Sequence, residues 1–452
     1  MGCRTPVGGE RGMSNAFALA VGKTADAALP RLPGAGVAWL GAARHAHLAA
    51  FLRDGLPSAR GEAWKYTSLR ALEQRVFALG DADAATRTVE AQMLALPGVD
   101  GPRLVFVNGA FRADLSCLDD LPEGLELQPL ARVLARDAES LRATFAATAT
   151  DAFDRLNAAL AGDGVVLRVA AGARIAVPVQ LAYFGAPAAG DLAWHDRAVI
   201  ELGDGAELTL VEQHGDAGPH AHLGTLVSDI RLQRGARLHW DVLQEAGPGA
   251  TLIRRSAFRL AADAAVTLHA LELGGALARH AITAELEGDR ARFVTRGVFA
   301  PGGRQHLETR LDIRHLARDT ASDALWRGVA DGRGRGVLHG AITIEAGADG
   351  AAAQLGNKNL LLSEQAEIDT QPVLEIHADE VKASHGATVG QLDERALFYL
   401  RSRGLPLEQA RALLTSAFCR AALDRLDPVP LREHFAVRLA RHLPRLAGDS
   451  EA

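Results

Sequence analysis

The sequence predicts a mainly β protein built around a stacked parallel β-helix with helical segments at both ends. Two observations carry this. From about residue 165, stretches of alternating apolar and polar residues recur, each opened by a small turn dipeptide. The turn alanines Ala173, Ala206, Ala236 and Ala265 lie 33, 30 and 29 residues apart, and Ala291 opens a fifth copy 26 residues on. Self-similarity at a period of roughly 20–50 residues marks a solenoid. With no helical periodicity between the copies, the repeated strands must stack parallel. A β-sandwich would instead place turns every ~8–12 residues without a long repeat.

The elements follow in order. Residues 13–100 read as a helical region, with apolar residues at three- and four-residue steps after Ala63-Trp64-Lys65-Tyr66. Met13 is an alternative translation start to Met1. Residues 101–164 read as a connecting α/β region, in which the apolar run 103–107 is closed by the turn signal Asn108-Gly109. Residues 165–392 form the β-helix core. Residues 393–445 turn helical again, as an appendage to the coils: Arg403-Gly404 is a helix stop, and Pro406 starts the next helix. Leu413, Leu414, Ala417 and Phe418 share one face of that helix. Asp427-Pro428 breaks it, and Leu431, Phe435, Leu439 and Leu443 stripe the last one.

Composition excludes several classes. Of 452 residues 48% are hydrophobic and 23% charged, so a sizeable core can form. The net charge of −6 gives no electrostatic footprint for nucleic acid. No run is apolar enough to span a membrane and no signal peptide is evident, so a cytoplasmic protein is expected. Only Cys3, Cys117 and Cys419 occur, too few for a disulfide framework or a self-sufficient four-cysteine metal site.

Candidate sites were weighed against bland readings. Gly22-Lys23-Thr24 resembles the end of a phosphate loop, but Phe17 stands where the loop's first glycine is needed. The glycine cluster 331–337 has no helix behind it and reads as a turn. His220 and His222 share a strand face as a potential metal pair, yet the pair reads as having no carboxylate or thiol close in sequence, and 16 histidines make such pairs common. In the polar stretch 374–393, alternation puts Glu375, His377 and Asp379 on one strand face, and His385 precedes Gly386 at an expected turn. Imidazole with carboxylates suits iron or zinc.

The text 354–405 resembles the SufB/SufD family, the scaffold subunits of the SUF iron–sulfur cluster assembly machinery. The resemblance rests on Asn357-Lys358-Asn359 with the leucines after it, on 366–376, on 379–393 and on 397–405. Glu62-Ala63-Trp64-Lys65-Tyr66-Thr67 adds to it near the start, and the SufD branch fits better than SufB. The likeness runs from about 13 to 445. It implies a right-handed parallel β-helix and a non-enzymatic scaffold. It also implies assembly with a SufB-like subunit and a SufC-like ATPase, the latter docked on Leu413, Leu414, Ala417 and Phe418. The iron–sulfur cluster would be transient and shared with a partner, with His385 as candidate ligand at the SufB–SufD interface and His377 as a secondary one. Whether a flavin binds is left open. The family commonly has cysteine before the Ser-His-Gly triplet, and here Ala383 stands in its place.

Two rival readings remain. A β-helix polysaccharide lyase or hydrolase would want aromatic platforms for sugars, but the chain has only 14 Phe, 5 Trp and 3 Tyr. A purely structural homodimer is the other.

Overall fold

The computed structural model describes residues 16–80, 87–147, 149 and 151–443. Cys3 and the choice between Met1 and Met13 lie outside these residues. Two ten-stranded sheets face each other, and successive coils contribute one strand to each in turn. One sheet stacks Asp163–Val169, Leu192–Leu202, His222–Leu232, Ala250–Leu260, Leu277–Leu286, His306–His315, Arg335–Ile344 and Glu367–Ile376. The other stacks Val179–Gly185, Glu207–Asp216, Arg237–Gln244, Ala265–Glu272, Arg292–Phe299, Ala321–Ala330, Ala352–Leu361 and Lys382–Gly390. All of these neighbours pair in parallel, so the core is a β-solenoid, as the repeat predicts. Antiparallel pairing occurs at its beginning, where Leu125–Pro129 lies against Asp163–Val169.

One corner of each coil is tight. Gly205, Gly235, Asp263, Arg290, Asp319, Gly350 and Glu380 adopt positive φ there. The next residue, Ala206, Ala236, Ala264 or Ala291, is completely buried against the same residue of the neighbouring coil. This corrects the expected column by one residue: Ala264, not Ala265, stacks on Ala236. Ala265 is half-buried and pairs with Arg237 at the strand start. The reason is that Asp263 fills the left-handed position that Gly205 and Gly235 hold in other coils. Aspartate tolerates that conformation better than most side chains.

Between the sheets, apolar side chains form one continuous core, with Trp240, Phe258 and Phe293 in edge and tilted contact at 5.6 and 5.2 Å. The outer faces are also apolar and need cover. Helices Ala16–Ala28, Ala38–Asp54 and Ala152–Leu160 cover one sheet through Phe17, Phe51, Phe153 and Leu156 against Ala193, Leu223 and Ile253. Gly22-Lys23-Thr24 lies inside the first of these helices, not at a loop. Trp64 locks this layer in place. Its indole donates to Asp151, its ring packs at a tilt against Phe153 at 5.3 Å, and the Arg279 guanidinium sits 4.0 Å over it.

The C-terminal helices cover the other sheet, which overturns their expected status as an appendage. Cys419, Leu426, Leu431, Phe435 and Leu439 are buried against Val211, Leu243, Leu271, Val298 and Val329. Each large side chain buried this way stabilises by about 1.5–3 kcal/mol, so these helices belong to the folded body.

Candidate functional site

The solenoid has an open end. Strands Glu367–Ile376 and Lys382–Gly390 each have a neighbour on one side only. Most of Lys382–Gly390 is exposed, and Ile376 and Val389 leave over two-fifths of their surface free. A parallel edge of this length presents a row of unpaired amides and carbonyls, a template for another strand.

Register sets what the mouth displays. Ala383 pairs with Ala353, His385 with Leu355, Ala387 with Asn357 and Val389 with Asn359. Those partners are buried at inward positions of the coil below, so His385 occupies an inward position of the last coil. No further coil covers it, and its imidazole is exposed. Beside it, beneath the inward positions of Ala387 and Val389, lies a polar floor whose role the sequence does not reveal. Asn357 and Asn359 are buried and donate to each other at 3.1 and 2.6 Å, Thr370 donates to Asn357 Oδ1 at 2.8 Å, and Asn359 donates to the Thr388 carbonyl at 3.1 Å. The available signal is asparagine at alternate positions, continuing the inward face on which Ala353 and Leu355 are apolar.

Two expectations are corrected. His385 does not precede a turn: it lies mid-strand, because Gly386 continues the ladder opposite Gly356 without positive φ. His377 is not inside a strand: the strand ends at Ile376, and His377 starts the exposed corner, its amide donating to the Ile344 carbonyl at 2.8 Å. Asp379 follows in that corner, so Glu375, His377 and Asp379 do not share one strand face. His220 and His222 lie elsewhere, His222 opening a strand five strands back from Glu367–Ile376.

Thiolate chemistry is remote from this mouth. Ala383 carries no sulfur. Cys419 is fully buried within the C-terminal helices, and burial pushes its thiol up to about 12 against the opposing charge of Arg327. Cys117 pairs with Arg103 at the first strands of the solenoid, eight strands away in the same sheet. At about 4.8 Å per strand that is roughly 40 Å.

On helix Leu407–Arg420, the buried side is Ala410, Thr415 and Cys419. Leu413 is 51% exposed and Ala417 is exposed, while Leu414 and Phe418 are half-buried. Phe418 lies under the Arg327 guanidinium at 5.4 Å. Phe398 and Tyr399, on the preceding helix Glu394–Ser402, are exposed as well. The four residues expected to meet a partner therefore divide, two facing outward and two partly used within the chain. Among the described residues, no helix is long and apolar enough to cross a membrane.

Comparison with known proteins places this geometry. Residues 185–418 match the SufBD core domain of SUF system FeS cluster assembly, and residues 34–181 match the SufBD protein N-terminal region. The chain is 31% identical over 400 residues to the iron–sulfur cluster assembly protein SufD of Escherichia coli, covering 88% of this chain and 92% of that one. It is 30% identical over 390 residues to the SufBD family protein slr0076 of Synechocystis, covering 83% and 85%. Similarity to SufD of Bacillus subtilis is 29% over 276 residues, covering 60% and 62%. These relatives lend no support to the polysaccharide lyase or hydrolase reading.

Proposed function

The chain belongs to the SufBD family and is an iron–sulfur cluster assembly subunit of the SUF system, and from that premise we propose that it is a non-catalytic scaffold whose open solenoid end pairs with a SufB-like subunit. The observation that carries the reading is the uncapped end coil, which offers an unpaired edge and an exposed imidazole together. A docked strand or coil end would satisfy that edge, leaving His385 at the junction.

The ligand logic follows from the cysteines. Neutral imidazole is a good borderline ligand for iron and replaces thiolate in some clusters. With Ala383 sulfur-free and both described cysteines remote or buried, the partner brings the thiolates and this chain brings His385. The cluster is then transient cargo at a shared interface, held by neither chain alone. His377, at the adjoining corner, is a secondary candidate. A SufC-like ATPase docks on the outward side of helix Leu407–Arg420 through Leu413 and Ala417, flanked by Leu414 and Phe418. The assembly is cytoplasmic.

The test uses the parity of the last strand. The Lys382 amide bonds the Ala351 carbonyl, so even-numbered amides face the preceding coil and odd-numbered ones face outward. Ala387→Pro deletes an outward amide and leaves the ladder intact, as proline is tolerated on edge strands. Co-expressed with the SufB-like and SufC-like subunits, this variant should keep the wild-type circular dichroism and melting temperature yet lose most of its SufB-like partner on purification. Full-strength co-purification would refute pairing through this edge.

A further inference from the structure

The fold brings a second set of ligand-type side chains together, and its assignment does not rest on the reading above. Strand Glu207–Asp216 ends at the loop-side corner of its coil, and the chain returns as His222–Leu232 after five residues. The return aligns Asp216, His220 and His222 at one corner. One ligand-type atom of each lies within 4.8 Å of the others, and His222 Nε2 is 3.9 Å from Asp216 Oδ1. Two ligands of one zinc-sized ion, each about 2.0–2.2 Å from it, sit roughly 3.0–4.3 Å apart. The His222–Asp216 distance already fits. His220 is half-buried in the loop.

The surroundings are built for the cluster. The carboxylate of Asp216 and the imidazole of His222 are only 5% and 3% exposed. No hydrogen bond of good geometry reaches Asp216 Oδ1, either ring nitrogen of His220, or His222 Nδ1, all of them buried atoms. The backbones of Gly185 and Gly218 form looser hydrogen bonds with Asp216 and His220, which leaves His222 Nδ1 as the buried ring nitrogen with no such contact. Buried polar atoms rarely go without a partner, and each one left so costs about 1–3 kcal/mol. Neighbouring coils make room by having no side chain there. A Cβ on Gly185 would collide with Asp216 Oδ1 and crowd both imidazoles, and one on Gly247 would collide with Asp216 Oδ2. The Gly247 amide donates to Asp216 Oδ2 and fixes the carboxylate. Trp194 stacks on His222 at 4.4 Å, and His222 on His220 at 4.6 Å, which orients the rings. A cavity of about 290 Å³, lined by Asp216, Gly215, Met93, Glu245 and His434, leads to the carboxylate.

We propose that Asp216, His220 and His222 form a mononuclear site for a borderline divalent metal, Fe(II) or Zn(II), at this corner. Two imidazoles and one carboxylate are the donor set that such ions take with positions left open for water or a further ligand. The comparable group His239, Asp241 and His269 differs, because His269 Nδ1 is already hydrogen-bonded to Asp241 Oδ1 at 2.9 Å. Asp241 Oδ2, His239 Nε2 and His269 Nε2 still lack a hydrogen bond, so the difference lies in that one bond.

The purified full chain, stripped with chelator, is titrated with Co(II) as spectroscopic probe and then with competing Zn(II). One equivalent of Co(II) should give ligand-field absorption that Zn(II) abolishes. Asp216→Asn and His220→Ala should each weaken Co(II) binding by at least about tenfold, while His239→Ala leaves it unchanged. His220 lies outside the strands, so its variant keeps the fold, checked by near-ultraviolet circular dichroism. A wild-type chain that binds no Co(II) would overturn the assignment. So would His220→Ala binding as wild type, or loss of the spectrum in His239→Ala alone.

Discussion

His195 shows what burial does to one residue of this solenoid. Its ring is fully enclosed beneath helix Ala152–Leu160, Nδ1 lies 2.8 Å from Thr225 Oγ1, and burial pushes the imidazole down to about 3. In the unfolded chain a histidine titrates near 6.5. Below that pH the unfolded chain takes up a proton that the folded ring refuses. The group's contribution to stability is therefore whole above about 6.5 and is lost as pH falls towards 3. His195→Asn removes the titration. In urea unfolding, the cost of this substitution should be smaller at pH 5 than at pH 7 by about 2 kcal/mol, from ~1.5 pH units at 1.36 kcal/mol each. An equal cost at both pH values would mean that the folded ring takes up its proton as readily as the unfolded chain does. Within the lumen, Arg254 is flanked by Glu212 and Glu272, with His214 and His280 completing the group. Burial opposes charge on Glu272, but Arg254 and His280 outweigh it and hold the carboxyl below its usual range. No sequence period announces such a group, because its members come from four strands of three coils.

Among the elements, the corners were the most legible and the covering layers the least. A left-handed residue followed by a buried small one recurs in coil after coil, and glycine with alanine makes that visible in Gly205-Ala206 and Gly235-Ala236. Where Asp263 takes the glycine's role the pattern shifts by one, and text alone mistook Ala265 for Ala264. The terminal helices were legible as helices, but not the surface they cover. Strands such as Arg237–Gln244 bury side chains on both faces, so their outward residues, Leu243 among them, read as core. His385 was legible as a residue through its motif, whereas its inward position needed the register with Leu355. Asp216 was overlooked although it lies four residues before His220, since only the folded corner brings carboxylate and imidazoles together. Helix Leu407–Arg420 supplies the prediction at this scale. Leu413→Asp changes an exposed side chain, so the melting temperature should stay within about 2 °C of wild type, as expected for a surface change of about 0.5 kcal/mol. Binding of the SufC-like ATPase, measured by calorimetry on the assembled subunits, should weaken by about tenfold or more, the loss expected for a charge forced into an apolar contact. Unchanged affinity would remove Leu413 from the docking face.

The whole molecule is asymmetric along its axis. At its first coils the polypeptide closes the stack with antiparallel strands, and the sides carry helices on both sheets. Among the described residues the last coil is left open, and its two strands offer edges on which the sheets can continue into another chain. That place holds His385 beside a hydrogen-bonded asparagine floor that lies beneath Ala387 and Val389, with the described cysteines far off or enclosed. The account therefore stands on the role of His385 at a junction completed by a partner. The direct test is the iron content and cluster absorbance of the reconstituted complex, compared between wild type and His385→Ala at equal complex yield. His385 is exposed and its side chain supports no other element, so the variant should assemble normally and carry much less cluster, with His377→Ala showing a smaller loss. Full cluster content in the His385→Ala complex would contradict the account.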